Sequence, residues 1–243
     1  MSEYAIEVNN LCINYKGMKA FSIKQSLLKS KKNRPKVVEA VKNISFNVTK
    51  GEIMGIVGKN GSGKSTMLRA IAGIFSPNSG TIDLHGNSVS LLAIGVGFQK
   101  ELTGRENIML SGMLLGFSAK EITARMDEII EFSELGKFID SPVRTYSSGM
   151  YSKLAFSITA ILETDIILID EVFSVGDSRF KKKSYAKMQE LIFDNNRTVV
   201  IVSHDMKALA KLCTKILWIN DGEFVQYGNA EDVLPAYEAF MAT

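Results

Sequence analysis

The fold of this chain is decided by the stretch Gly58-Lys59-Asn60-Gly61-Ser62-Gly63-Lys64-Ser65-Thr66. It matches the pattern G-x-x-x-x-G-K-[ST] in full, with an apolar run at 53–57 before it and a helical pattern at 67–72 after it. Its glycines let backbone N–H groups close around phosphate oxygens, and the start of the helix adds its positive dipole end. We therefore predict a phosphate-binding loop, in which Lys64 reaches the β- and γ-phosphates and Ser65 holds Mg²⁺.

Other apolar runs predict strands that alternate with helices. Residues 102–162 have a mainly helical pattern, interrupted at 117–118 and at 141–142. Strands alternating with helices are typical of an α/β domain, and the long helical stretch indicates a subdomain inserted into it. The predicted strands lie at 6–15, 44–48, 53–57, 166–169 and 198–202.

Polar residues follow two of these predicted buried strands. Asp170 and Glu171 come directly after 166–169, where Asp170 could complete the Mg²⁺ site and Glu171 could activate the attacking water. The alternative use of this pair is helix capping, since acids are favourable at a helix N-terminus. His204 follows 198–202, which places it beside the phosphates if the sheet is doubly wound. A purely structural histidine is the alternative.

Length and composition fit a globular protein with one large domain. The chain has 243 residues, of which 46% are hydrophobic and 23% are charged. Its net charge of +3 is too small to indicate a nucleic-acid partner. The basic excess is concentrated at 29–36, within a basic insertion at roughly 16–36. A solvated loop is the simpler interpretation of this insertion, and contact with an anionic membrane surface is the alternative.

The cysteines and the apolar runs indicate where the protein works. Cys12 and Cys213 lack metal-type spacing, so we predict that both are small buried residues of a protein in a reducing compartment. Residues 1–7 have no secretion signal, and no run approaches the roughly 18 apolar residues needed to cross a bilayer. Any membrane process would therefore involve a partner.

A second motif separates this chain from other proteins with the same loop. The segment Tyr146-Ser147-Ser148-Gly149-Met150 lies before the strand that ends at Asp170 and resembles the L-S-G-G-Q signature of the ABC ATPase family. Ser147 and Gly149 match the signature, whereas Tyr146, Ser148 and Met150 depart from it. The resemblance implies ATP as the cofactor and a dimer of two copies, with Ser147 and Gly149 facing a phosphate. A plain N-cap for the following helix is the alternative.

The same resemblance implies roles for three further positions. Gln99 is similar to the glutamine that the family places near Mg²⁺ and the membrane partner. Residues 174–177 resemble the loop that crosses the dimer interface, and Tyr15 resembles the aromatic residue that stacks on adenine, although ordinary packing could also explain Tyr15. The implied fold is a single domain over 1–243. It has a P-loop core with a mainly parallel sheet, an N-terminal antiparallel β-subdomain and a helical subdomain inserted at roughly 100–160.

Within the family, the sequence most resembles ATP-binding subunits that export lipid-linked polysaccharides such as teichoic acids, O-antigens and capsules. This implies ATP hydrolysis at the cytoplasmic face of the cell membrane, with docking on a polytopic membrane subunit through 99–116. No further glycan-binding domain is expected beyond Thr243. The alternatives are an ATPase for another cargo, a non-transport ABC ATPase of translation or DNA maintenance, and a P-loop kinase. The segments that carry the resemblance are 101–108, 145–150 and 170–177.

Overall fold

A computed structural model describes most of the chain. The described residues are 3–16, 37–92, 95, 97–170, 177–194 and 196–242. Most of the basic insertion, Glu171 and residues 174–176 lie outside them, so the predictions made for these positions stay predictions.

The described residues form nine strands and seven α-helices. The strands are β1 (Tyr4–Lys16), β2 (Val37–Thr49), β3 (Ile53–Val57), β4 (Ser79–Asp83), β5 (Val89–Leu91), β6 (Ile166–Ile169), β7 (Thr198–Val202), β8 (Lys215–Asn220) and β9 (Glu223–Asn229). The helices are α1 (Lys64–Ile71), α2 (Gly104–Leu114), α3 (Ala119–Ser133), α4 (Ser148–Ile161), α5 (Ser178–Ile192), α6 (Met206–Leu212) and α7 (Ala230–Met241).

The central sheet has the strand order β5-β6-β7-β3-β8-β9, and only its last pair, β8–β9, is antiparallel. Every residue of β6 and β7 is buried. Continuous Ile and Val runs suit this position, because strands of a parallel sheet are covered on both faces. The carboxyl ends of β3, β6 and β7 therefore lie along one edge of the sheet. The predicted α/β core with a mainly parallel sheet is confirmed.

A second sheet, of order β2-β1-β4, is antiparallel throughout. Its apolar face packs with α1 against one face of the central sheet, through residues such as Ile6, Val41 and Leu68. Helices α5, α6 and α7 cover the other face. The half-buried Cys12 shows that the prediction of two buried cysteines is wrong at this position, while Cys213 is buried. The Cys12 sulfur lies near the strand surface, where it accepts a hydrogen bond from the Asn43 N–H at 3.3 Å.

Helices α2, α3 and α4 form the inserted helical subdomain around an apolar cluster of their own, which includes Ile108, Ile122 and Leu154. Helices α2 and α3 each begin with a capping box, at Thr103 and Ser118, whose side chains accept from the N–H three residues later. The predicted helix break at 117–118 therefore coincides with a helix start. Among the described residues, no helix is long and apolar enough to cross a membrane.

Candidate active site

The phosphate loop runs from the end of β3 to the start of α1. Gly63, the N-cap of α1, has φ +94°, and a Cβ there would overlap the carbonyl oxygen of Ala40, so only glycine fits. No side chain caps α1, and its first turn holds no acidic residue. The N–H groups at this helix start therefore remain available to an anion.

Lys64 is the first residue of α1 and is only 6% exposed. Its Nζ donates hydrogen bonds to the carbonyl oxygens of Gly58, at 2.7 Å, and Lys59, at 3.1 Å. Burial lowers the pKa of Lys64, and the negative charge of Asp170 opposes that effect. The loop thus curls around its own lysine, and the ammonium lies at its centre.

Ser65 and Asp170 meet although they are far apart in sequence. The Ser65 hydroxyl donates to Asp170 Oδ1 at 3.0 Å, which joins the start of α1 to the end of β6. Strand β6 pairs parallel with β7, and β7 pairs parallel with β3. The residue after β6 and the loop after β3 therefore lie near each other. The result is a pair of oxygen donors beside the phosphate loop. The neighbouring Glu171 lies outside the described residues.

His204 follows β7 at the same edge of the sheet and is exposed. Partial burial, and then the positive charge of Lys64, lower the pKa of His204 below its ordinary value. The influence of Lys64 indicates that the imidazole lies on the phosphate-loop side of the sheet. The histidine is therefore neutral at pH 7, with one ring N–H to donate.

Tyr15, near the end of β1, lies beside the first turn of α1. Its hydroxyl donates to Thr66 Oγ1 at 3.2 Å, and its ring meets that of Phe75 edge-on, with 6.2 Å between centroids. The side chain is 42% exposed. The side chain is thus partly open to solvent next to the phosphate loop, where a stacked base could lie.

Gln99 is exposed on a loop that Asn107 holds in place. The buried Asn107 side chain accepts from the Gln99 N–H at 2.7 Å and donates to the carbonyl oxygens of Gln99, Leu102 and Thr103 at 2.8–3.2 Å. The sequence reasoning missed Asn107. The T-x-x-E capping box at Thr103 and Glu106 marks the helix start and was the available signal.

Ser147 and Gly149 lie on a different surface. Ser147 caps α4, its Oγ accepting from the Met150 N–H at 3.2 Å, and it is exposed. Together with Gly149 it lines a cavity of about 330 Å³. The other lining residues are Glu134, Leu135, Phe138, Met150, Lys153 and Asp177, so none of them belongs to 58–66. The structure thus brings Tyr15, Lys64, Ser65, Thr66, Asp170 and His204 to one edge of the sheet and leaves Ser147 and Gly149 apart from them.

An ion pair that the sequence reasoning missed connects the cavity to α5. Lys153 Nζ lies 2.7 Å from Asp177 Oδ2, and this contact lowers the pKa of Asp177 to about 2, helped by hydrogen bonds from the first N–H groups of α5. The helix that starts at Ser147 is thereby tied to the last residue of the segment 174–177. No local sequence pattern predicts this pair, because Lys153 lies in α4 and Asp177 is the N-cap of α5.

Comparisons with known proteins agree with this architecture. Residues 41–174 match the family described as ABC transporter. The teichoic acids export ATP-binding protein TagH of Lactococcus lactis is 46% identical over 89% of this chain and 46% of its own length. An O-antigen export system ATP-binding protein, RfbB of Klebsiella pneumoniae, is 45% identical over 84% of this chain and 82% of its own length. The chain thus spans about half the length of some relatives and most of others.

A solved structure has the same fold. It is the dimeric structure of an ATP-binding cassette in a post-hydrolysis state, bound to ADP and Pi. The TM-score is 0.67 at 22% identity, over 93% of this chain and 98% of the other. At this identity the likeness establishes the fold.

Proposed function

Because this chain belongs to the ABC transporter family, we propose that it binds ATP at the phosphate loop and hydrolyses it to drive export of a lipid-linked polysaccharide. The observation that carries the hydrolytic part is the convergence of Lys64, the Ser65–Asp170 pair and His204 at one edge of the sheet. The cargo is proposed from relatives named for teichoic acid and O-antigen export.

The residues present fit a nucleotide with Mg²⁺. Ser62 Oγ is buried in the loop and has no hydrogen-bond partner among the described residues, which suits a polar ligand above it. Oxygen donors from Ser65 and Asp170 are the ligand type that Mg²⁺ prefers, usually alongside phosphate oxygens and water. Phosphate oxygens and water would supply the remaining ligands.

The chain's own side chains then divide the chemistry. Lys64 neutralises charge on the β- and γ-phosphates, and Ser65 and Asp170 would hold Mg²⁺, which would supply further positive charge there when bound. Glu171 accepts the proton of the attacking water. The water oxygen bonds to the γ-phosphorus, and the bond from the γ-phosphorus to the β-γ bridging oxygen breaks. His204, neutral at pH 7, donates its ring N–H to the γ-phosphate. As the family resemblance implies, Gln99 would reach the Mg²⁺ site from its own loop, and Tyr15 would stack on adenine.

A second copy of the chain completes the site. Ser147 and Gly149 lie on a surface that 58–66 do not share, and the N-terminus of α4 suits an anion through its positive dipole end. We place this surface over the γ-phosphate bound by the partner, so that each ATP is buried between two chains.

The membrane subunit docks on the surface formed by 99–116. Met113 and Leu114 are 49% and 57% exposed there. A groove of about 360 Å³ lies beside Leu114, between Gly116 and the segment around Gly86. Exposed apolar side chains beside a groove suit an inserted segment of a protein partner. The protein would then work at the cytoplasmic face of the cell membrane without nucleic acid.

Reconstitution tests the proposed cargo. The subunit is co-purified with its membrane partner, and ATPase activity is measured in proteoliposomes with lipid-linked teichoic acid, with O-antigen and with no added glycan. A glycan-dependent rise in turnover is expected. Turnover that responds to no polysaccharide but to another solute would reject polysaccharide export while leaving the ATPase assignment intact.

A further inference from the structure

Helix α7 packs against the start of the phosphate loop. Lys59 Nζ lies 4.3 Å from the ring centroid of Phe240. Burial raises the pKa of Tyr237, one turn earlier on α7, and the nearby Gly58 backbone opposes that effect. Both aromatic residues lie outside the family match at 41–174. Resting on the function proposed above, we propose that Phe240 and Tyr237 are positioning residues, which hold 58–59 in the shape that receives MgATP.

The two residues belong to an aromatic cluster formed by Trp218, Tyr237 and Phe240. The Trp218 ring centroid is 5.5 Å from that of Tyr237 and 5.2 Å from that of Phe240. Trp218 is also the register partner of Val57, the last residue of β3. Val57 and Lys59, on either side of Gly58, therefore each have a partner in this aromatic cluster.

Lys59 links the aromatic cluster to Lys64 at the centre of the site. Its carbonyl oxygen is one of the two acceptors of the Lys64 ammonium, at 3.1 Å. Lys59 is itself exposed and its long side chain has many rotamers, so the cation–π contact with Phe240 selects one of them. Fixing the Lys59 side chain restricts the backbone that holds Lys64. Without the Phe240 ring, the free loop would sample more conformations, so nucleotide binding would cost more conformational entropy.

Helix α7 also borders the histidine side of the site. His204, Tyr237 and Met241 line a cavity of about 370 Å³, together with Met206, Glu238 and Ala242. Helix α7 thus contacts the start of the phosphate loop and also borders His204, which is proposed to donate a hydrogen bond to the γ-phosphate. This is the arrangement expected of a positioning element.

Phe240→Leu tests the proposal, because it removes the ring and keeps an apolar side chain. Trp218 is the only tryptophan of the chain, so its fluorescence during MgATP titration gives the Kd of each variant. A cation–π contact at a partly exposed site corresponds to about a two- to fivefold change in affinity. We expect Kd and KM for MgATP to rise by that factor with kcat unchanged, since the loop shape is needed equally before and during the reaction.

Two variants serve as controls. Phe240→Tyr keeps an aromatic face and should restore the wild-type Kd. Phe193→Leu removes a 56% exposed aromatic side chain at the end of α5 and should leave Kd unchanged. All measurements are made well below the unfolding midpoint, where a merely structural loss would not alter Kd.

A double-mutant cycle with Lys59→Gln identifies the route of the effect. If Phe240 acts through Lys59, the Phe240→Leu change in Kd should shrink towards zero in the Lys59→Gln background. Full additivity, or an unchanged Kd in Phe240→Leu, would overturn this inference while wild-type MgATP binding kept the proposed function. Wild-type protein that did not bind MgATP would overturn the proposed function, and this inference with it.

Discussion

Replacing Lys64 by alanine is the most direct perturbation of the candidate site. The Lys64 ammonium is almost completely buried, and its Nζ is held by the carbonyl oxygens of Gly58 and Lys59. Keeping a cation in this environment costs free energy, as its lowered pKa indicates. A bound anion would therefore complete the compensation of the positive charge of Lys64.

The expected loss follows from the contacts that the ammonium would make. A hydrogen bond to a charged group contributes about 1.5–3 kcal/mol, so one bond to each of the β- and γ-phosphates contributes about 3–6 kcal/mol. At about 1.4 kcal/mol per tenfold change, MgATP affinity should fall by about 10²–10⁴-fold, and turnover should disappear. The variant loses two hydrogen bonds to the loop but no longer buries a charge, so the opposing effects should leave thermal stability little changed.

Calorimetric titration with MgATP and a turnover assay measure these effects. Lys211→Ala is the matched control, because it removes an exposed lysine in the last turn of α6 and should bind and hydrolyse as the wild type does. A folded Lys64→Ala protein with wild-type affinity and turnover would refute the phosphate-loop assignment.

Three further predictions concern other parts of the site. The pKa of His204, followed by NMR in a chain with only two histidines, should lie below 6.5 and rise in Lys64→Met, which removes one cause of the shift. Because the pKa of His204 is lowered in the folded state, the unfolded state binds a proton at this residue at a higher pH. His204 should therefore reduce the free energy of unfolding as the pH falls through its ordinary pKa. A His204 pKa that does not change in Lys64→Met would contradict the placement of the imidazole near Lys64. Asn107→Ala should lower the free energy of unfolding by roughly 2–4 kcal/mol in urea titration, since it leaves the Gln99 N–H without its partner and removes three hydrogen bonds to carbonyl oxygens, and an unchanged value would show that these four hydrogen bonds are dispensable. Glu171→Gln should elute as a dimer on size exclusion only with MgATP, and adding Ser147→Arg should abolish that dimer; a dimer indifferent to Ser147 would exclude the composite site.

Local signals explain why much of the fold followed from the sequence. Apolar runs such as 166–169 and 198–202 are long and β-branched enough to predict buried strands without knowledge of their neighbours. Glycine spacing at 58–63 requires a loop of one kind, and the structure shows the positive φ values that this spacing predicts. Cys12 shows the limit of such reasoning, because it lies in β1 between the buried Leu11 and Ile13, and successive side chains of a strand point to opposite faces.

The sequence by itself determined the glycine-rich loop 58–66, the strand-end positions of Asp170 and His204 and the mainly parallel α/β core. The first two are encoded within a few adjacent residues, whereas the core follows from the alternation of strand and helix patterns along the chain. Only the tertiary structure decided that Asn107 holds the Gln99 loop, that Lys153 pairs with Asp177, and that α7 meets the phosphate loop through Phe240. These contacts join residues on separate elements, and Lys59 and Phe240 are separated by most of the chain. Pairs such as Lys59–Phe240 and Lys153–Asp177 become neighbours only when burial of the apolar faces fixes how the helices lie on the sheet, so no short pattern can contain them.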